Sequence, residues 1–242
     1  MVATTFTNIC GINIQVDRKE IKNLHLAVYP PIGDVRIAAP TNTTEDNIRL
    51  AVIDKLGWIK KQKLRFKQQL RQSKRRCISG ECHYFLGEPY RLKVVNHDGK
   101  PQMKALKSGE LRMLIAADAD QNAREKLLAN WYRQQLRDLI PILVAKWQPI
   151  VGIEINECRI RKMKTKWGSC NIEGRRVWLN LELVKKPRAC IDYIFLHELT
   201  HLIHRCHDES FKKMLKKFMP DWQVHHKALN TSALVHDTWD KT

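Results

Sequence analysis

Residues Ile191 to Phe211 read Ile-Asp-Tyr-Ile-Phe-Leu-His-Glu-Leu-Thr-His-Leu-Ile-His-Arg-Cys-His-Asp-Glu-Ser-Phe. Within this stretch, His197-Glu198-Leu199-Thr200-His201 is an H-E-x-x-H sequence. The apolar run Tyr193 to Leu196 predicts a helix that enters the motif through the core. On a helix, histidines four residues apart lie one turn apart on one face, so both imidazoles can reach a single metal ion. Glu198 follows the first histidine by one position and falls at the edge of that face. From there its carboxylate can reach a water beside the ion instead of the ion itself.

A catalytic zinc keeps three protein ligands and one open position, so a third ligand is required. His204 lies on the face of His197 but seven residues on, about 10 Å along the axis at ~1.5 Å of rise per residue. That is far for a shared ion. His207 can reach only if the helix stops near His204 or Arg205 and the chain turns back. Asp208 supports such a stop, because it is a good N-cap for a following helix over Phe211 to Leu215. The sequence therefore predicts one Zn²⁺ per chain with His197, His201 and His207 as metal ligands, Glu198 as the catalytic residue and His204 beside the site. The bland alternative is a surface helix with two solvated histidines. The apolar approach, the third histidine and the break before Asp208 all argue against it.

The residues around the motif carry a family resemblance. Lys166-Trp167-Gly168-Ser169-Cys170, Trp178-Leu179-Asn180, Pro187, Ile191-Asp192-Tyr193, the H-E-x-x-H, His207 and Phe211 follow one another at familiar intervals. In this the chain resembles the YgjP-like metal-dependent hydrolases, a bacterial group related to the SprT-like zinc metallopeptidases. The resemblance is tightest from about residue 159 to 220 and continues, more weakly, back to about residue 24. It implies zinc held by His197, His201 and His207, with Glu198 as general base. Two positions depart from the family pattern: Lys212 replaces an aromatic after Phe211, and Asp208 stands where serine is common, which preserves capping chemistry.

The rest of the chain sets bounds on partners and location. Its 242 residues carry 43 Lys+Arg against 25 Asp+Glu, a net charge of +18. Solubility alone needs far less, so an anionic partner such as DNA or RNA is expected. The charge concentrates between Lys55 and Gly80, where ten basic residues meet no acidic one. A solvated helix face usually mixes signs, because like charges a turn apart repel. Lys60, Lys63, Lys67 and Lys74 are accordingly candidate nucleic-acid contacts on a basic helix from Lys55 to Arg76. Seven cysteines without a C-x-x-C argue against a disulfide framework and a cysteine zinc ribbon. The N-terminal residues lack a basic segment followed by an apolar run, and no stretch approaches the roughly 20 apolar residues of a membrane span. A cytoplasmic protein with no membrane partner is expected.

Coarse secondary structure follows from periodicity. Ile12 to Val16 alternates as a strand. Leu24 to Tyr29 and Val35 to Ile37 read as a hairpin across Pro30 to Asp34. A helix starts near Thr44, with Ile48, Ala51, Val52, Leu56 and Ile59 on one face. Phe85 to Val95 reads as a hairpin arm turning at Asn96 to Gly99, with Leu111 to Ile115 closing the sheet. Ala123 to Trp147 reads as one long helix, with Leu127, Leu128, Trp131, Leu136 and Ile140 inward, kinked or split at Pro141. Arg159 to Lys166 and Arg176 to Asn180 read as two strands beside the metal helix, linked through Trp167 to Cys170. No internal repeat is visible. His225 and His226 read as surface residues, and Ser169 and Cys170 as structural.

The expected architecture is α+β: residues 1–118 form a β-rich N-terminal half with a basic helix, and 119–242 a zincin-like domain around the H-E-x-x-H helix. The expected activity is hydrolysis of a protein or peptide substrate by zinc-activated water, with Glu198 as general base. Trp167 and Asn180 are candidate substrate-binding residues, and the strand at Arg176 to Asn180 could pair with an extended substrate. Two rivals come from other classes. One is a metal-dependent nuclease, although nucleases favour carboxylate-rich sites. The other is a nucleic-acid-binding module whose zinc is structural.

Overall fold

The structure, a computed structural model, describes residues 3–29, 33–68, 75–163 and 166–231. Packing divides the chain into two compact units, with the break between Arg71 and Gln72.

The first unit is a four-stranded sheet with two helices. Strands β1 (Ala3–Ile9) and β2 (Ile12–Lys19) form a hairpin around Cys10-Gly11, both at positive φ, as a tight two-residue turn requires. Strands β3 (His25–Tyr29) and β4 (Asp34–Pro40) pair antiparallel as expected, and β4 inserts beside β2 in parallel, giving the order β1-β2-β4-β3. Alternate residues Ile12, Ile14 and Val16 of β2 and Val35, Ile37 and Ala39 of β4 are buried, the period-two signature of a one-sided sheet. Ile48 and Val52 of helix α1 (Glu45–Asp54) and Ile59 of α2 (Leu56–Gln68) join this core. Thr44 caps α1, its hydroxyl accepting from the Asn47 N–H. The helix expected to run through Ile59 breaks at Lys55, whose N–H turns to the Ile53 carbonyl. The basic helix does not reach Arg76 either: α2 is helical to Gln68, and Arg75 and Arg76 are not helical.

The second unit begins with a sheet of identical topology. Strands β5 (Cys82–Phe85), β6 (Glu88–Asn96), β7 (Gln102–Ala105) and β8 (Glu110–Ile115) take the order β5-β6-β8-β7. Again the first pair is a hairpin, around Leu86-Gly87 at positive φ, and again the second and fourth strands are parallel. In both units a capped helix follows the fourth strand. The chain thus contains a structural repeat that its sequence hides. Asn96 to Gly99 is consequently not a hairpin turn: β7 pairs with β8, so the segment crosses to the far edge of the sheet.

Helix α3 (Gln121–Val151) follows, capped by Asp120 and closed by Gly152 at φ 73°. It runs through Pro141 without splitting. Its buried residues are Leu128, Tyr132, Leu136, Leu143 and Trp147, with Leu127, Trp131 and Ile140 half-buried. A three-stranded sheet then forms from β9 (Glu157–Arg161), β10 (Gly168–Asn171) and β11 (Arg176–Asn180) in the order β10-β11-β9. The expected link at Trp167 to Cys170 is therefore largely a strand. A 3-10 turn (Leu181–Lys185) leads to α4 (Arg188–Thr200), α5 (Glu209–Phe218) and α6 (Trp222–Thr231).

One continuous core joins Leu92, Leu111 and Met113 of the sheet, Leu136 and Leu143 of α3, and Phe195 and Leu196 of α4. The boundary expected at 118/119 is corrected to 71/72 for this reason. The β5–β8 sheet packs with the helices that follow it: the Tyr132 hydroxyl donates to the Tyr84 carbonyl (2.8 Å), and the Leu86 N–H donates to the Val184 carbonyl (2.8 Å). Gly87, at φ 93°, makes this approach possible, since a Cβ there would lie 2.9 Å from Pro187 Cγ at the start of α4. The chain is α+β. Among the described residues no helix is long and apolar enough to cross a membrane.

Candidate metal centre

Helix α4 is buried on nearly every side from Cys190 to Thr200, as a helix through the middle of a core is, and most of those residues are apolar. Ile191, Phe195, Leu196 and Leu199 are fully buried. Asp192 ties it to α3: its Oδ1 accepts from Lys146 Nζ (2.8 Å) and Trp147 Nε1 (2.9 Å), and its Oδ2 from Arg188 Nε (2.9 Å). Burial opposes a charge there, yet these donors hold the carboxyl below its ordinary range. His197 and Glu198 leave this rigid helix in its last turn.

The helix stops at Thr200, and His201 is its C-cap. The Leu202 N–H turns to the Leu199 carbonyl, and the Ile203 and His204 N–H groups to the Thr200 carbonyl, so the chain folds back. Asp208 then starts α5, its carboxylate accepting from the Phe211 N–H (2.8 Å). This return brings His207 to His197, with their Nε2 atoms 3.0 Å apart. One ligand atom from each of His197, His201 and His207 lies within 4.8 Å of the others. Phe211 packs beneath all three rings, at 4.9, 4.8 and 4.8 Å between centroids.

The donor chemistry fits a metal. The His201 Nδ1–H faces the His204 carbonyl at 3.1 Å, which leaves its Nε2 unprotonated toward the cluster. His204 therefore contributes a carbonyl and not its ring. Burial, with the His201, His207 and His226 charges added, pushes His197 down to about 3, so its imidazole is neutral. Its Nδ1 is buried without a hydrogen-bond partner among the described residues. Three imidazoles converging on one point are the donor set zinc prefers.

Glu198 stands beside the trio without belonging to it. It is buried, and burial pushes its carboxyl up to about 8 against the pull of the Lys166 ammonium. Gly168 of β10 makes its place. A Cβ at Gly168 would lie 2.6 Å from Glu198 Oε1 and 2.9 Å from Ile194 Cγ2, so no other residue fits without displacing the carboxylate. The cluster opens into a cavity of about 490 Å³.

The other predicted residues fare differently. Trp167 lines the cavity, with Lys186 Nζ 5.3 Å from its ring centroid. Asn180 does not line it and is corrected to a structural role. It is fully buried, and its Nδ2 donates to the Met163 (2.8 Å) and Lys166 (2.7 Å) carbonyls while its Oδ1 accepts from the Met163 and Glu182 N–H groups. Its amide is spent on shaping the loop before β10. Strand β11 cannot add a substrate strand, because β9 and β10 already occupy both its edges; the edge strand at the cavity is β10. Lys60 is exposed and Lys63 half-buried in the first unit, while the Lys67 side chain and Lys74 lie outside the described residues. Cys170 lines the cavity, but burial, then Glu198, raises its thiol to about 11, so it offers no thiolate at neutral pH.

Tyr193 and His226 also line the cavity, although neither was a candidate site residue. Tyr193 lies one helical turn before His197, and that spacing could have flagged it. His226 had no local signal. Helix α6 brings it in through Trp222, which stacks on Tyr193 at 6.2 Å and 16°.

Comparison with known proteins identifies a family and two similar solved structures. The sequence profile of the YgjP-like family, described as a YgjP-like metallopeptidase domain, matches residues 22–232. Among solved structures, the chain is similar to the metallopeptidase zymogen abylysin of Pyrococcus abyssi, at 20% identity over 41% of this chain and 99% of that one, with a TM-score of 0.37. It is also similar to the zymogen jannalysin of Methanocaldococcus jannaschii, at 23% identity over 37% of this chain and 92% of that one, with a TM-score of 0.33. No curated protein sequence matches it.

Proposed function

The chain belongs to the YgjP-like metallopeptidase-domain family, and on that footing we propose that it is a zinc-dependent peptidase whose second unit is zincin-like. The convergence of His197, His201 and His207 beside a buried Glu198 carries this reading. One Zn²⁺ per chain fits the three imidazoles. When bound, it supplies Lewis acidity that acidifies water and polarises a carbonyl. Glu198 takes the proton from the attacking water and passes it to the amide nitrogen as the C–N bond breaks. Among the described residues β10 is an edge strand, whose outer edge offers main-chain hydrogen bonds to an extended substrate, and Trp167 offers an apolar wall. An all-histidine donor set favours this over phosphodiester cleavage, and an open cavity favours it over a closed structural zinc site.

Removing the metal tests the proposal. Chelated protein should lose cleavage of an unfolded protein substrate, and stoichiometric zinc should restore it. Cleavage that persists at full rate in metal-free protein would sink the reading.

Gly168→Ala separates the ligands from the base. The added methyl collides with the Glu198 carboxylate and not with the imidazoles. Turnover should fall about a hundredfold, the cost of roughly 1 Å of misplacement, with zinc content unchanged. Unaltered turnover would show that Glu198 has room to spare.

The first unit has its own proposed partner. Helix α2 carries no acidic side chain, and Lys60 and Lys61 are exposed on it. The chain should bind DNA or RNA with little sequence preference, and affinity should drop steeply with salt, by about 0.9 in log–log slope per phosphate contact on duplex DNA. Reversing Lys60, Lys63, Lys67 and Lys74 to Glu should flatten that slope and leave zinc content and peptide cleavage alone. Lack of binding at low salt would leave the charge to an acidic protein or to solubility.

A further inference from the structure

The cavity around the metal centre is lopsided in charge. Glu198 is the carboxylate that lines it, and that group is buried at the floor, whereas Lys166 and Arg205 line it with exposed side chains. They arrive from different elements. Lys166 sits just before β10, and its backbone carbonyl is pinned by Asn180 Nδ2 (2.7 Å). Arg205 sits in the return between α4 and α5, where its backbone, like that of His204, faces His201. Acidic side chains close by in sequence are committed elsewhere. Asp208 caps α5, Glu209 pairs with Lys212 (2.6 Å), and Glu157 pairs with Arg159 and Arg176. Among the described residues neither Lys166 nor Arg205 forms an ion pair with a carboxylate; the carboxylate that feels Lys166 is the buried Glu198.

Two exposed cations lining a cleft whose lining carboxylate is buried form a specificity device. They attract a substrate carboxylate, and they raise the cost of bringing in a lysine or arginine. Their reach is short, because the Debye length is about 8 Å at 0.15 M salt and about 3 Å at 1 M. The preference must therefore depend on where the acidic residue lies relative to the scissile bond. The chain's overall positive charge would show no such dependence.

We propose that Lys166 and Arg205 select peptide substrates carrying an acidic residue within a few positions of the bond that is cut. This rests on the peptidase reading above and assigns the substrate class of the same cavity. Both side chains are exposed, so the variants that test them should fold.

The test uses the full-length, zinc-loaded protein and peptides that differ only by Glu or Gln near the scissile bond, placed from a mass-spectrometric digest of a peptide mixture. The Glu member should be cleaved about tenfold better in kcat/KM at low salt, equivalent to ~1.4 kcal/mol. The advantage should vanish at 1 M salt and when the Glu is moved six or more residues away. Lys166→Glu with Arg205→Glu should reverse the order in favour of a Lys-bearing peptide, while Lys60→Glu with Lys63→Glu should change nothing. Equal cleavage of the Glu and Gln peptides, or a preference that survives the double reversal, would overturn the proposal and leave the peptidase reading standing. If no peptide is cut, calorimetric binding to zinc-loaded Glu198→Gln protein decides. Tighter binding of the Glu peptide, lost in the double reversal, supports the selection device, and equal binding overturns it.

Discussion

Replacing Glu198 with Gln should leave zinc at one per chain and the fold intact, and it should lower kcat by roughly a hundredfold to ten-thousandfold, the range general bases supply. Gln matches the carboxylate in shape, so the tight contact with Gly168 is kept while the proton acceptor is lost. The amide is also neutral, which costs nothing in a site whose burial already disfavours the carboxylate. Zinc by mass spectrometry and turnover on one preparation check it. Zinc lost with the substitution would make Glu198 a ligand, and unimpaired turnover would remove it from the mechanism. The general-base role would fail in both cases.

The second large effect is on the metal itself. His197→Ala and His201→Ala should each abolish stoichiometric zinc, and His207→Ala should weaken it far more than His204→Ala. The His204 ring is not in the cluster, and its carbonyl survives the substitution. Zinc at a hundred times its dissociation constant adds about 2.7 kcal/mol to stability. For a unit of this size that amounts to roughly 5–10 °C in Tm. The three ligand variants should lose that increment, and His204→Ala should keep it. Calorimetry with and without zinc reads both quantities. A His204→Ala variant that loses its metal while His207→Ala retains it would reassign the third ligand.

Much of the histidine cluster was legible because its signals are local. The spacing of His197 and His201, the apolar run before them and the capping residue Asp208 each act over a few residues, so helical geometry alone converts them into placement. Strand alternation in β2 and β4 and the long apolar period of α3 were readable for the same reason. Other features were not local. The repeated sheet topology needs only a turn that tolerates positive φ and an alternating strand, and many sequences satisfy both, so the two copies share little that can be seen. The parallel pairing of β6 with β8 joins residues far apart in the chain, and no short pattern records it. Asn180 was a candidate substrate contact, and only the fold shows that four backbone groups consume its amide.

By itself, then, the sequence determined the chemistry on offer: imidazoles a helical turn apart, an acid beside them, a chain break ahead of a third imidazole, and a surplus of positive charge. The tertiary structure decided which of those groups share a point in space. It brought His207, and not the His204 ring, to the cluster by ending α4 at Thr200, made room for Glu198 by placing Gly168 against it, and lined the cavity with Tyr193 of α4 and His226 of α6. The physical reason is that ligand identity depends on side-chain type and spacing, which a sequence states directly. Cavity shape depends on core packing, where Phe195, Leu136 and Met113 meet from three separate elements.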